Sequence, residues 1–224
     1  MARNFVGEAR RRGLGTRRER IGKIVERLAA EHADAEIALH FGSDVELLIS
    51  VMLSAQTTDV NVNRVTKRLF LKYRKPEDYL AVPVEELEQD VYQTGFYRQK
   101  TKSLRGAMQR IIEVHGGQVP EDFDELLKLP GVARKTANVV SGELGNPQGI
   151  AVDTHVRRLS QRLGLTKQSD PVKIERDLLR LVPRADWGRI SHLLIWHGRR
   201  TCDARKPLCE ECPLAVDLCP SSRI

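Results

Sequence analysis

Residues 129–140 read LPGVARKTANVV, and residues 150–156 read IAVDTHV. Pro130-Gly131 ends one helix and turns the chain, and a second helix starts at once with Arg134 and Lys135 in its first turn. A glycine turn that runs into a helix N-terminus aims several backbone N–H groups at one place, which makes an anion site. Ala133, Ala137, Val140 and Leu144 recur at helical spacing and predict a core stripe, with Lys135 almost opposite it. An outward lysine beside a phosphate grip, with Asp153 soon after, is a set of groups suited to chemistry on a sugar–phosphate backbone. Simpler roles fit the same residues: a phosphate clamp for Lys135 and a helix N-cap for Asp153.

Helix signals continue on both sides of this stretch. Thr16-x-x-Glu19 and Ser43-x-x-Glu46 are capping boxes, each leading into an apolar stripe: Ile21, Ile24, Val25 and Leu28 in one, Leu48, Ile49 and Met52 in the other. Thr58-Asp59 opens a further helix, and another starts near Pro83 and ends near Gly95. The stripe Leu104, Ala107, Met108, Ile111 stops at Gly116-Gly117, and Asp122-x-x-Glu125 opens the short helix before the hairpin. Three more helices are predicted over about 155–163, 171–182 and 186–198, the second capped by Asp170 with Pro171 at its first position. No strand pair is evident, so the sequence predicts an all-α fold.

The length of 224 residues suits one large domain or two small ones sharing a solid core. No apolar run approaches the ~18 residues a membrane span needs. The N-terminus is arginine-rich but has no apolar core segment, which excludes a secretory signal and predicts a cytoplasmic protein. The net charge is +7, and residues 1–23 carry eight basic side chains against Glu8 and Glu19. Residues 1–19 therefore read as a basic, disordered tail that adds salt-sensitive attraction to a polyanion. The body is nearly neutral, so any grip on nucleic acid there must come from local patches.

All four cysteines, Cys202, Cys209, Cys212 and Cys219, fall within the last 23 residues in the spacing C-x6-C-x2-C-x6-C. Clustered thiols in a reducing compartment indicate one metal site rather than disulfides. Tetrahedral thiolate sets serve both zinc and iron–sulfur clusters. Zinc sites usually show two close cysteine pairs, and the single close pair here favours a cluster. The first loop of this set presents Arg205 and Lys206, cations suited to a phosphate.

Six segments in order, LISVMLSAQTTDVNVN (48–63), TGFYRQK (94–100), HGGQVPED (115–122), LPGVARKTANVV, IAVDTHV and HGRRTCDARKPLC (197–209), resemble the endonuclease III family of base-excision DNA glycosylases. The resemblance runs from about Ile21 to Cys219. It implies two helical lobes: residues 37–147 as a six-helix barrel holding the helix-hairpin-helix (about 122–144), and residues 20–36 with 148–224 as a lobe with one [4Fe–4S] cluster on the four cysteines. The active site would lie in the cleft between them. Lys135 would be the nucleophile and Asp153 the catalytic aspartate. Gln56 and Phe96 would enter the duplex beside an extruded nucleotide, and Gly131, Ala133, Arg134, His155, Arg205 and Lys206 would contact DNA. The implied activity is removal of oxidised pyrimidines through a lysine Schiff base, followed by β-elimination at the abasic site. The partner would be double-stranded DNA carrying damaged pyrimidines or abasic sites, bound by a monomer. Adenine-mismatch glycosylases of the same superfamily lack a lysine at position 135. This chain departs from the family pattern twice: Ala133 replaces the second glycine of the hairpin, and the last cysteine gap is six residues instead of five.

Overall fold

A computed structural model describes residues 4–224. Among the described residues twelve α-helices run in the order α1 (Phe5–Arg11), α2 (Arg17–Glu31), α3 (Asp44–Leu53), α4 (Asp59–Lys72), α5 (Asp78–Ala81), α6 (Val84–Val91), α7 (Tyr97–His115), α8 (Phe123–Leu127), α9 (Arg134–Glu143), α10 (Thr154–Arg162), α11 (Pro171–Leu179) and α12 (Trp187–Arg200). The described residues contain no strand, so the fold is all-α. None of their helices is long and apolar enough to cross a membrane. The chain divides into two compact units: one runs up to Ile37 and resumes over Pro147–Ile224, and the other is Ala38–Asn146.

The first unit contains α1, α2 and α10–α12. Its core joins Ile21, Ile24, Val25 and Leu28 of α2 to Val156 and Leu159 of α10, Ile174 and Leu178 of α11, and Ile190, Leu193 and Leu194 of α12. Burying such a side chain contributes about 1.5–3 kcal/mol. Leu214 and Leu218 join the same core, so the cysteine-bearing end has apolar anchors of its own. The Thr16–Glu19 box forms as the sequence predicts: Thr16 Oγ1 accepts from Glu19 N at 3.3 Å, and Glu19 accepts from Thr16 N at 2.6 Å. Arg20 is buried, and its guanidinium donates to the carbonyls of Leu163 (2.6 Å) and Leu218 (2.8 Å), tying α2 to the end of α10 and to the C-terminal segment.

The expectation of a disordered tail over residues 1–19 is wrong for most of that stretch. Phe5–Arg11 is helical, capped by Asn4 Oδ1 accepting from Gly7 N at 3.1 Å, and Ala9 is buried. Two arginines here bind distant backbone, Arg12 donating to the Cys219 carbonyl (3.2 Å) and Arg17 to the Leu165 carbonyl (3.1 Å), and Arg11 pairs with Glu8. A charge count treats such arginines as repelling one another and cannot see the carbonyls that accept from them. Arg3 lies outside the described residues.

The second unit contains α3–α9. Leu47 to Leu53 of α3 are all buried, so this helix forms the unit's centre. Ser43 caps α3 as expected, but Glu46 reaches past it to accept from Gly42 N at 2.6 Å. At the end of α7, Gly116 and Gly117 both adopt positive φ, and Gly117 N donates to the Ile111 carbonyl at 3.0 Å. The short α5 has no counterpart in the sequence reading. It is held by Asp78, which accepts from Arg74 N and Lys75 N, and by Arg105, which donates to the carbonyls of Tyr79, Leu80 and Val82.

Candidate active site and cluster site

The hairpin joins α8 to α9. Asp122 caps α8 by accepting from Asp124 N and Glu125 N, each at 3.0 Å, and Val132 N closes the turn on the Leu129 carbonyl at 3.0 Å. Gly131 has φ +81°, and a Cβ there would stand 2.5 Å from Ser103 Cβ. The glycine is therefore required twice, by its backbone conformation and by its contact with α7. Gly106 of α7 makes a matching close approach, since a Cβ on it would lie 3.0 Å from Pro130 Cβ.

Ala133 is different. It sits at the N-cap of α9 with φ −90° and ψ 168°, extended backbone that any residue adopts, so the missing second glycine costs no conformational freedom that the turn needs. It is also exposed, which removes it from the predicted core stripe, while Ala137 and Val140 are fully buried. Its methyl group cannot cap the helix, so the first-turn N–H groups, which lack intrahelical acceptors, receive no cap from this side chain. Arg134 stacks over the Phe123 ring at 5.1 Å, which links α9 to α8. Lys135 is exposed in the first turn of α9, on the side away from Ala137 and Val140.

Gln56 and Phe96 share a property that their sequence context hides. Among the described residues they are the two non-glycine positions with positive φ, +57° and +48°. Each such residue costs of order 1–3 kcal/mol unless its surroundings impose it. Both are exposed, Phe96 at 65%. With Met52, Lys100, Ser103 and Gly131 they line one cavity of about 320 Å³. The structure thus gathers Gln56, Phe96 and Gly131, three residues chosen from separate motifs.

Asp153 belongs to the first unit, whereas Lys135 belongs to the second. Asp153 is the N-cap of α10, its Oδ1 accepting from Val156 N at 2.8 Å. The capping role read from the sequence is therefore present, and it fixes the direction of the carboxylate while leaving its other lone pairs available. His155 Nδ1 lies 3.2 Å from Arg158 Nη2, a donor only, so the imidazole proton belongs on Nε2. Burial pushes the His155 pKa down, against the opposing pull of Asp153. Arg158 also donates to the carbonyls of Gly198 (2.9 Å) and Cys202 (3.1 Å), so α10, α12 and the start of the cysteine loop are pinned by one guanidinium.

All four cysteines line a cavity of about 180 Å³. Among the described residues no group of three or more His, Cys, Asp or Glu side chains gathers closely enough to hold a single metal ion. The four cysteines share one cavity with room for a multi-atom group, so the residues present fit an iron–sulfur cluster. Burial pushes the Cys212 thiol up to about 11 and raises Cys219 as well, so it is the iron's positive charge that would favour their thiolates. The supporting shell is already in place. Arg162 Nη1 lies 3.2 Å from Cys202 Sγ and donates to the Asp203 carbonyl at 2.6 Å. His197 Nε2 lies 3.4 Å from Cys212 Sγ, and its other ring nitrogen meets His32 Nε2 at 3.1 Å. The His197 pKa falls to about 4 through burial, which keeps the ring neutral. Asp203 Oδ1 accepts from Arg205 N (2.7 Å) and Lys206 N (2.9 Å), and these bonds hold its carboxyl down to about 2. That turn presents both cations to solvent. The extra residue in the last cysteine gap leaves Cys219 lining the cavity with the other three.

Residues 49–184 match the model of the HhH-GPD superfamily base excision DNA repair proteins, and residues 202–220 match the iron-sulfur binding domain of endonuclease III. The chain is 47% identical to the endonuclease III of Synechocystis sp. (strain ATCC 27184 / PCC 6803 / Kazusa), over 95% of this chain and 97% of that protein. The chain belongs to the endonuclease III family. A second member, endonuclease III of Bacillus subtilis (strain 168), is 52% identical over 84% of this chain and 85% of its own length. The fold matches the endonuclease III of a trapped endonuclease III–DNA covalent intermediate in an estranged-adenine complex. That match has TM-score 0.85 and 45% identity and covers 91% of this chain and 96% of the other. As an endonuclease III, the chain is a DNA glycosylase with AP lyase activity and carries one [4Fe–4S] cluster.

Residues that the sequence reading passed over complete both sites. Arg158 and Arg162 lie outside the motifs chosen, and Lys100 ends the segment 94–100 without being singled out, because nothing in a lone basic residue tells a surface charge from a buried brace.

Proposed function

We propose that this endonuclease III removes oxidised pyrimidines from duplex DNA with Lys135 as nucleophile and Asp153 as its electrostatic partner, and then cleaves the abasic strand. The observation that carries the assignment is the exposed Lys135 in the first turn of α9, directly after the Gly131 turn, in a chain so similar to a protein trapped covalently on DNA. A stacked base cannot be reached in the duplex, so the nucleotide swings out at a cost of a few kcal/mol. Gln56 and Phe96 fill the space it leaves. The neutral Lys135 amine attacks C1′, the C1′–N bond breaks, and the base leaves as the anion or takes up a proton. The sugar ring opens to an iminium on Lys135 Nζ. Loss of a C2′ proton then expels the 3′-phosphate, and water hydrolyses the imine to free the lysine.

Asp153 stabilises the positive charge that develops on the sugar as the base departs. The α9 N-terminus, Arg134, His155 and the Arg205-Lys206 turn hold the phosphates. The [4Fe–4S] cluster, bound by Cys202, Cys209, Cys212 and Cys219, supplies iron–thiolate bonds that cross-link this loop; Arg162 and Asp203 set its path. The enzyme acts as a monomer in the cytoplasm, at the chromosome.

The substrate class is tested with matched duplexes carrying an oxidised pyrimidine, an oxidised purine or no lesion. Release of the pyrimidine with strand cleavage is the predicted result. Turnover of the oxidised purine alone would overturn the specificity.

A further inference from the structure

Lys100 is the only lysine buried among the described residues. Its Nζ donates to the Leu53 carbonyl at 2.8 Å and to the Thr94 carbonyl at 2.7 Å. Neither acceptor is a carboxylate, and burial alone lowers its pKa to about 8. An ammonium kept in such a place is a cost that an apolar chain of equal length would avoid. What it gains is visible in the positions of the two carbonyls. Leu53 is the last residue of α3, three residues before Gln56. Thr94 ends the 3-10 turn Tyr92–Thr94, two residues before Phe96. Gln56 and Phe96 are the two left-handed non-glycine residues among the described ones, and Lys100 lines the same cavity that they do.

We infer that Lys100 is a positioning residue for nucleotide extrusion, binding the Gln56 turn and the Phe96 turn into one rigid unit so that both side chains enter the duplex together. This rests on the proposed insertion of Gln56 and Phe96. One cation accounts for both strained backbones at once. It satisfies a carbonyl where each helical segment ends, and it fixes the spacing between two turns that have no shared secondary structure. Asn61 of α4 bridges the same turns at their outer side, donating to Thr57 Oγ1 (2.9 Å) and to the Gln93 carbonyl (2.7 Å), so Lys100 is the buried half of a two-point brace. Without it the turns keep one link and lose the one beneath the cavity, and displacements near 1 Å are enough to slow a positioned step.

The test uses cluster-loaded protein and an abasic site placed either in a duplex or in single-stranded DNA, where no stack has to be opened. Lys100→Met is expected to lower the ratio of duplex to single-strand cleavage by on the order of tenfold. In a Phe96→Ala background the same change should lower that ratio by less than about twofold, because the element it positions is gone. Lys100→Gln, which keeps an N–H donor and serves if the methionine variant does not fold, should fall between. A brace of purely structural importance would depress both substrates equally, and that result overturns the inference. Additive effects of Lys100→Met and Phe96→Ala overturn it as well. If Gln56→Ala and Phe96→Ala each leave duplex cleavage at the wild-type rate, the insertion reading itself has failed. The two failures are distinct: the Lys100 inference alone fails when Phe96→Ala or Gln56→Ala slows duplex cleavage with single-strand cleavage intact while Lys100→Met leaves the ratio unchanged.

Discussion

Arg12 Nη1 donates to the carbonyl of Cys219 at 3.2 Å, which ties the end of the first helix to the last cysteine of the cluster site. Phe5, at the start of the same helix, lines the cavity that the four cysteines surround. Helix α1 is therefore a cover over that site. Deleting residues 1–14 should speed loss of the cluster several-fold, since solvent access is one of the protein's controls over such centres. The measurement is decay of the cluster's visible absorbance in air with a chelator present. An unchanged decay rate in the truncated protein would show that α1 shields nothing.

The hairpin yields a pair of contrasting variants. Gly131→Ala puts a Cβ 2.5 Å from Ser103 Cβ at φ +81°, and the left-handed conformation alone costs about 1–3 kcal/mol. Ala133→Gly changes an exposed, extended N-cap residue, where glycine is an adequate cap and the cost or gain is only a few tenths of a kcal/mol. Denaturant melts of the two proteins decide the matter. Equal loss of stability at the two positions would refute the distinction between them.

The basic turn after Cys202 predicts a salt signature. Replacing Arg205 and Lys206 by alanine should weaken DNA binding and flatten the plot of log K against log salt by about 1–2 units of slope, on the scale of ~0.9 per phosphate contact. Asp203→Ala should weaken binding in the same direction, because Asp203 Oδ1 accepts from both backbone N–H groups of the turn. Binding titrations across a salt series test this, and parallel lines for wild type and the double variant would rule out phosphate contact by these side chains.

Lys100 makes stability depend on pH in a defined direction. Its folded-state pKa lies near 8, below the ordinary lysine value of 10.5. Below pH 8 the amine is protonated in both states, and the folded protein bears the full cost of the buried charge. Between about 8 and 10.5 the unfolded chain binds more protons than the folded one, so stability rises with pH. Relative to Lys100→Met, the wild-type Tm should therefore gain as pH is raised through this window. A difference that stays flat or shrinks contradicts the burial of a charged Lys100.

Much of this molecule can be read from its chain because local rules agree with the fold. The Thr16–Glu19 box, the Gly116-Gly117 stop and the Asp170 cap each mark a helix end where one is found. Hairpin and cysteine spacing point to their sites for the same reason: the chemistry needs contiguous residues. Illegible features depend on partners distant in sequence. Arg20, Lys100, Arg158 and Arg162 each serve carbonyls at least six residues away and in most cases more than forty. The tail around helix α1 was misread because Arg12 and Arg17, which follow that helix, find acceptors at Cys219 and Leu165, positions that no local window contains. The left-handed backbones of Gln56 and Phe96 are likewise imposed from outside, on residues with no intrinsic preference for that conformation.

The most direct test of the central claim is borohydride trapping on a duplex carrying an oxidised pyrimidine, using folded, cluster-loaded protein. The predicted result is a covalent protein–DNA adduct from the wild type and none from Lys135→Ala, with the cluster's absorbance and the helical circular dichroism the same in both. An adduct of equal yield from Lys135→Ala would contradict the assignment of the nucleophile. No adduct from the wild type would contradict the Schiff-base mechanism itself.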